Sequence, residues 1–251
     1  MTERADRFPR YARSGDVGFL RSSRAGTSIF LIFLICISGL AIAIPVHESS
    51  VLFDKSRNRE IPIETYGAKG PVVIINHGYG VKNTEYSFIA NSLAKKGYYV
   101  VSIQHDLKTD PKLPKTGSII ERRKPLWQRG VANILFVISE LKKKRNFEKV
   151  ILIGHSNGGD ISMLFATQHP EMVSKIISLD SLRVPFPTKN HIPILSFRAK
   201  DTQPDKGVLP ETDTTIIDLV DAAHAEMSDR GPRRVQNKVE QVISDFFEGK
   251  L

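Results

Sequence analysis

The chain has 251 residues, 41% apolar and 25% charged, an ordinary globular composition with length for one sizeable core. Its net charge of +9 raises nucleic acid or an anionic membrane as partners. The basic residues are scattered, and the densest run, "KKKR" at Lys142 to Arg145, reads as the solvated end of a helix. With no aromatic-interleaved basic motif, nucleic acid is not an expected partner.

Residues 1–26 form a basic leader carrying Arg4, Arg7, Arg10, Arg13, Arg21 and Arg24. Residues 27–46, "TSIFLIFLICISGLAIAIPV", contain no charge and no polar stripe, which predicts a transmembrane anchor or the apolar core of a signal peptide. The arginines predict a cytoplasmic N-terminus and export of the remainder. The expectation is a single-pass anchored protein with its main domain on the non-cytoplasmic side. The "AIA" at Ala41 to Ala43 supports the other outcome, a cleaved and soluble protein of the periplasm or extracellular space. Cys36, the sole cysteine, lies in this span, so the exported part has no disulfide to form.

Over residues 50–251 strand-like and helix-like segments alternate. "SVLFD" and "EIPIETYG" read as early strands, and "PVVIINHG" as a strand buried on both faces. A helix over "TEYSFIANSLAKKG" leads to the strand "YYVVSIQ", then a polar loop from His105 to about Lys124 and a helix beyond it. "KVILIG" precedes a helix running to about His169. "KIISLD", "IPILSF" and "TTIIDLV" complete the strands, and a last helix starts near Arg233. This order predicts an α/β fold, with a mostly parallel central sheet flanked by helices. Sites in such sheets form beyond the carboxyl ends of the strands.

One motif falls at such an end. Gly154-His155-Ser156-Asn157-Gly158 fits G-x-S-x-G between an apolar strand and a helix. A nucleophile there needs Gly154 and Gly158 so that strand and helix can approach closely, and the backbone of Asn157 then serves as one donor to a developing oxyanion. The bland alternative is a serine capping a helix in a glycine-rich turn.

On this elbow, the "NHGYG" loop and the order of the residues that follow, the chain resembles the α/β-hydrolase superfamily from about Val51 to its C-terminus. In "RNREIPIETYGAKGPVVIINHGYG" and "LAKKGYYVVSIQH" it is most similar to the dienelactone-hydrolase-like, cutinase-like and platelet-activating-factor-acetylhydrolase-like serine esterases. The resemblance implies an α/β-hydrolase fold and a serine nucleophile followed by an acid and then a histidine. His224, after the last strand, takes the place of the base, whereas His191 precedes a strand at the opposite end. For the acid, Asp201 in "KDTQPD" is preferred, Asp180 in "ISLDS" is the alternative and Asp205 comes third. The second oxyanion donor is by analogy the backbone of Tyr79, and His77 and His155 are read as structural.

Only "SLRVPFPTKNH" separates two strands where many hydrolases insert a lid, so an open site for small or exposed esters is expected. Trp127 reads as packing at a helix start. No metal-ligand spacing or phosphate loop appears, so no cofactor and no metal are expected. The reading is a serine hydrolase of carboxylic esters acting through a covalent acyl-enzyme. An acyltransferase, thioesterase or amidase would use the same residues, and a non-catalytic envelope-associated binding protein is the reading of another class.

Overall fold

The computed structural model describes residues 46–188, 191–210 and 214–251. The basic leader and residues 27–45 of the apolar run lie outside them. Among the described residues no helix is long and apolar enough to cross a membrane.

The chain runs β1 (His47–Asp54), β2 (Arg59–Tyr66), β3 (Val72–Asn76), α1 (Ser87–Lys95), β4 (Tyr99–Ile103), α2 (Ile119–Lys142), β5 (Val150–His155) and α3 (Asn157–Gln168). It continues through a 3-10 turn at Pro170–Met172, β6 (Val173–Leu179), β7 (Ile194–Ala199), β8 (Thr214–Leu219), a second 3-10 turn at His224–Glu226 and α4 (Arg233–Phe247). The eight strands form one sheet in the order β1-β2-β4-β3-β5-β6-β7-β8. The β1–β2 and β2–β4 pairs are antiparallel, and from β4 to β8 every pair is parallel.

The unbroken apolar runs follow from a sheet covered on both faces, because successive side chains point to opposite sides. Val72 and Ile74 of β3 join a core with Ile134, Val137 and Ile138 of α2 and Ile161 and Phe165 of α3. Val73 and Ile75 join the opposite core with Ile89 and Leu93 of α1 and Val239 and Ile243 of α4. The crossing of α2 over α3 is close at Gly130, where a methyl group would stand 2.5 Å from Ile161 Cδ1. The three layers aim β5, β6 and β7 so that Ser156, Asp180 and the loop after Ala199 emerge at one end of the sheet.

One boundary differs from the sequence expectation. Helix α2 begins at Ile119, inside the stretch expected to be loop as far as Lys124. Ser118 and Glu121 form a reciprocal capping box that starts the helix, and Pro125 is carried within it. That proline lies in the second turn, so the hydrogen bond it forfeits is one near the helix end.

Candidate active site

Strand β5 ends at His155, and Ser156 occupies a turn with φ 53° and ψ −119° before α3 begins at Asn157. A non-glycine residue rarely takes such a conformation. Two features hold it there. The Ser156 N–H donates to Leu179 O at 2.9 Å, and its carbonyl accepts from Asp160 N at 3.0 Å, the first bond of α3. The flanking glycines leave no room for side chains: a methyl on Gly158 would lie 2.1 Å from Asn76 O, and one on Gly154 would lie 2.3 Å from Gly158 O. Ser156 therefore stands at the positive end of a helix, beyond the carboxyl edge of the sheet.

Strand β6 ends one register position away, with Leu179 opposite His155. The next residue, Asp180, also has positive φ, 58°, which turns its carboxylate across the end of β7. There Oδ2 accepts from His224 Nδ1 at 2.5 Å and from the Thr202 hydroxyl, and Oδ1 accepts from Ala199 N at 3.2 Å. Arg198 Nη2 lies 2.7 Å from Oδ1 as an ion pair, at an angle that makes no hydrogen bond. Asp180 is fully buried. Burial works to raise its pKa, but the bonds from His224 and Thr202 and the Arg198 charge outweigh it and hold the carboxyl below its ordinary value.

The two leading candidates for the acid take different places around His224. Asp201 does not face the His224 ring; its Oδ1 accepts the backbone N–H of His224 at 2.7 Å and so holds the loop. Asp205 pairs with Arg183, away from His224. The ring of His224 belongs to Asp180, which fixes the proton on Nδ1 and leaves Nε2 as the acceptor. His191 sits before β7, at the end of the sheet away from Ser156.

A third contact fixes His224. Its carbonyl accepts from His155 Nε2 at 2.9 Å, and the two rings lie 4.8 Å apart. His155 Nδ1 in turn accepts from the Tyr86 hydroxyl at 2.8 Å, which itself accepts from Gly78 N at 2.9 Å. One chain of bonds thus joins the "NHGYG" loop to the backbone of His224. Burial, with the neighbouring His224, pushes the His155 pKa down to about 3, so its ring is neutral. Sequence reasoning missed Tyr86, Arg198 and Thr202 because nothing local marks them; each acts through a partner far along the chain.

The expected oxyanion donors occupy suitable backbone. Val81 N donates to Gly78 O at 3.1 Å across a turn with Gly80 at φ +72°, the geometry of a type II turn with Tyr79 at its second position. The N–H of that position takes no part in the turn's own bond. Asn157 is the first residue of α3, where an N–H has no acceptor within the helix. Its side chain is locked by Trp127, whose Nε1 donates to Asn157 Oδ1 at 2.9 Å. Trp127 is buried, so it packs and also positions. His77 is structural too: Nδ1 bonds Gly78 O at 2.7 Å and Nε2 accepts from His105 N at 2.8 Å.

Two solved structures match this architecture over most of the chain. A "predicted CIB-like hydrolase" from Thermoplasma acidophilum aligns with a TM-score of 0.58 and 14% identity, over 82% of this chain and 99% of that one. Alpha/beta hydrolase domain-containing protein 10 from mouse aligns with a TM-score of 0.58 and 12% identity, over 81% and 100%. The fold is the α/β-hydrolase fold. Residues 67–183 match the family model described as serine aminopeptidase, S33. That stretch includes Ser156 and Asp180 and ends before His224. A Haemophilus influenzae protein named "Putative esterase/lipase" is 29% identical over 137 residues, 54% of this chain and 43% of that protein. The chain thus spans less than half the length of this relative.

Residues 181–188 form no lid helix. They wrap α3, with the N–H groups of Leu182, Arg183 and Val184 converging on Asp160 Oδ1. Burial raises the Asp160 pKa to about 6 against those three bonds and the Arg123 charge. Among the described residues no cluster of histidine, cysteine, aspartate and glutamate forms a metal site.

Proposed function

We propose that this protein is a serine hydrolase of carboxylic esters, with Ser156 as nucleophile, His224 as base and Asp180 as the orienting acid. The observation that carries the reading is the 2.5 Å bond from His224 Nδ1 to buried Asp180, with Ser156 on a positive-φ elbow at the end of the adjacent strand. Ser156 Oγ attacks the ester carbonyl as His224 Nε2 takes its proton, and the carbonyl oxygen becomes an oxyanion facing the N–H groups of Asn157 and Tyr79. The carbon–oxygen bond to the alcohol then breaks, and the alcohol leaves with the proton from His224. Water attacks the acyl-enzyme, gives a proton to His224 and releases the acid, restoring Ser156. A fluorophosphonate probe should label wild-type protein at Ser156 and leave Ser156→Ala unlabelled. Folded wild-type protein that takes no label would overturn the reading.

The serine aminopeptidase description of the matching family model favours a second reading, in which the scissile bond is an amide. Comparison of p-nitrophenyl esters with aminoacyl p-nitroanilides separates the two. In either case we infer an exported domain tethered through residues 27–46, or released by cleavage there, from the arginine-rich leader and uncharged run.

A further inference from the structure

Arg123 stands in the second turn of α2, with its guanidinium 5.1 Å from the centre of the Tyr79 ring, on the loop that offers the second oxyanion donor. It lies one helical turn before Trp127, on the same face, and Trp127 is bonded to Asn157 beside Ser156. The arginine is therefore placed at the mouth of the site, between the Tyr79 loop and the start of α3.

The Asp160 carboxylate acts on Arg123 without forming an ion pair with it. Among the described residues it forms no ion pair, and its Nε is buried with no hydrogen-bond partner. The charged neighbours that act on it are Asp160, Arg183 and Arg122. Asp160 is buried, and its Oδ1 is occupied by three backbone N–H groups. Arg183 is paired with Asp205. Buried donors normally have partners. What Arg123 lacks is an acceptor, and a guanidinium fork matches the oxygens of a carboxylate or phosphate.

We propose that the substrate is an ester bearing an anionic group, carboxylate or phosphate, and that Arg123 is the residue that selects it. The inference rests on the ester-hydrolase reading for the bond that is cut, and adds the class of molecule that carries the bond. A stacked arginine serving only to pack Tyr79 would not sense substrate charge, which gives the test its edge.

The test uses full-length wild-type protein, Arg123→Gln and Arg123→Lys with two pairs of esters in a pH-stat. Monoethyl succinate against ethyl butyrate tests carboxylate; 1-butyrylglycerol 3-phosphate against 1-butyrylglycerol tests phosphate. Wild type should favour the anionic member of one pair by about tenfold in kcat/KM, the size of one charge-assisted hydrogen bond. Arg123→Gln should erase that preference mainly through KM, and Arg123→Lys should retain part of it. Equal ratios in wild type and Arg123→Gln would overturn the inference, as would a wild-type preference for both neutral esters. Succinate and glycerol 3-phosphate binding, followed by calorimetry, keeps the two readings apart. Arg123-dependent binding without ester turnover would leave the anion site standing and remove the ester reading. Turnover of neutral esters without Arg123-dependent binding would do the reverse.

Discussion

His224 meets Asp180 through its ring and Asp201 through its backbone, so two aspartates that look interchangeable in the sequence do different work. In the proposed mechanism Asp180 sets the tautomer and supports the imidazolium formed during turnover, while Asp201 holds the loop. Asp180→Asn should lower kcat by about four orders of magnitude while leaving KM nearly unchanged, as loss of the orienting carboxylate does in serine hydrolases. Asp201→Asn keeps an oxygen acceptor for the His224 N–H and should stay within about tenfold of wild type. Steady-state kinetics on a short p-nitrophenyl ester decides this, and the reverse ranking would restore Asp201 as the acid.

Tyr86→Phe removes a hydroxyl that serves two buried groups, the Gly78 N–H and His155 Nδ1. Both are left without a partner, so the variant should lose about 2 kcal/mol of stability or more. Urea unfolding should show a lower midpoint with an unchanged slope. An unshifted midpoint would mean that the Tyr86 chain of bonds holds nothing in place.

The buried elbow glycines should be far less replaceable than an exposed glycine in open space. Gly158→Ala drives a methyl onto the Asn76 carbonyl and should cost about 3 kcal/mol or more. Gly207 has φ +80° but nothing near it, so Gly207→Ala should cost only about 1 kcal/mol. Thermal midpoints of the two variants test whether close approach, and not backbone freedom alone, requires glycine at position 158.

Stability should depend on pH in two opposed ways. His77, His105 and His155 are buried with pKa values lowered, chiefly by burial, from an ordinary 6.5. Below pH 6.5 the unfolded chain binds protons that the native chain cannot, so their contribution is present above that pH and is lost on acidification. Asp160 acts with the other sign. Its carboxyl is raised from 3.8 to about 6, so the native chain holds an extra proton in that window, and the contribution fades as pH rises through 6. The stability difference between wild type and Asp160→Asn should therefore change by roughly 2 kcal/mol from pH 4 to pH 6.5. Urea midpoints across that range test the sign, and a flat difference would mean that Asp160 titrates normally.

The layered fold was legible because buried parallel strands write themselves as apolar runs, and "VVIIN", "YVVSI" and "VILIGH" are the central strands. Helix α2 was read too short because Pro125 looks like a boundary, although Ser118 and Glu121 spell the capping box six residues earlier. The carboxylate facing His224 was not legible. Its choice depends on the positive φ of Asp180, which no local pattern encodes, and on the register that sets Leu179 beside Phe197 and Ala199 beside Leu219. Tyr86 and Trp127 belong to the same class, since each reaches its partner only after the layers close.

Every hydrogen-bonding direction of His224 except ring Nε2 is already committed: Nδ1 to Asp180, the amide to Asp201 and the carbonyl to His155. The residue is moored on three sides, so its resting place does not depend on the path of the chain that delivers it. That connecting chain is free to lengthen, shorten or change its surface without moving the imidazole. New loops can be tried on this frame while Nε2 stays where it is.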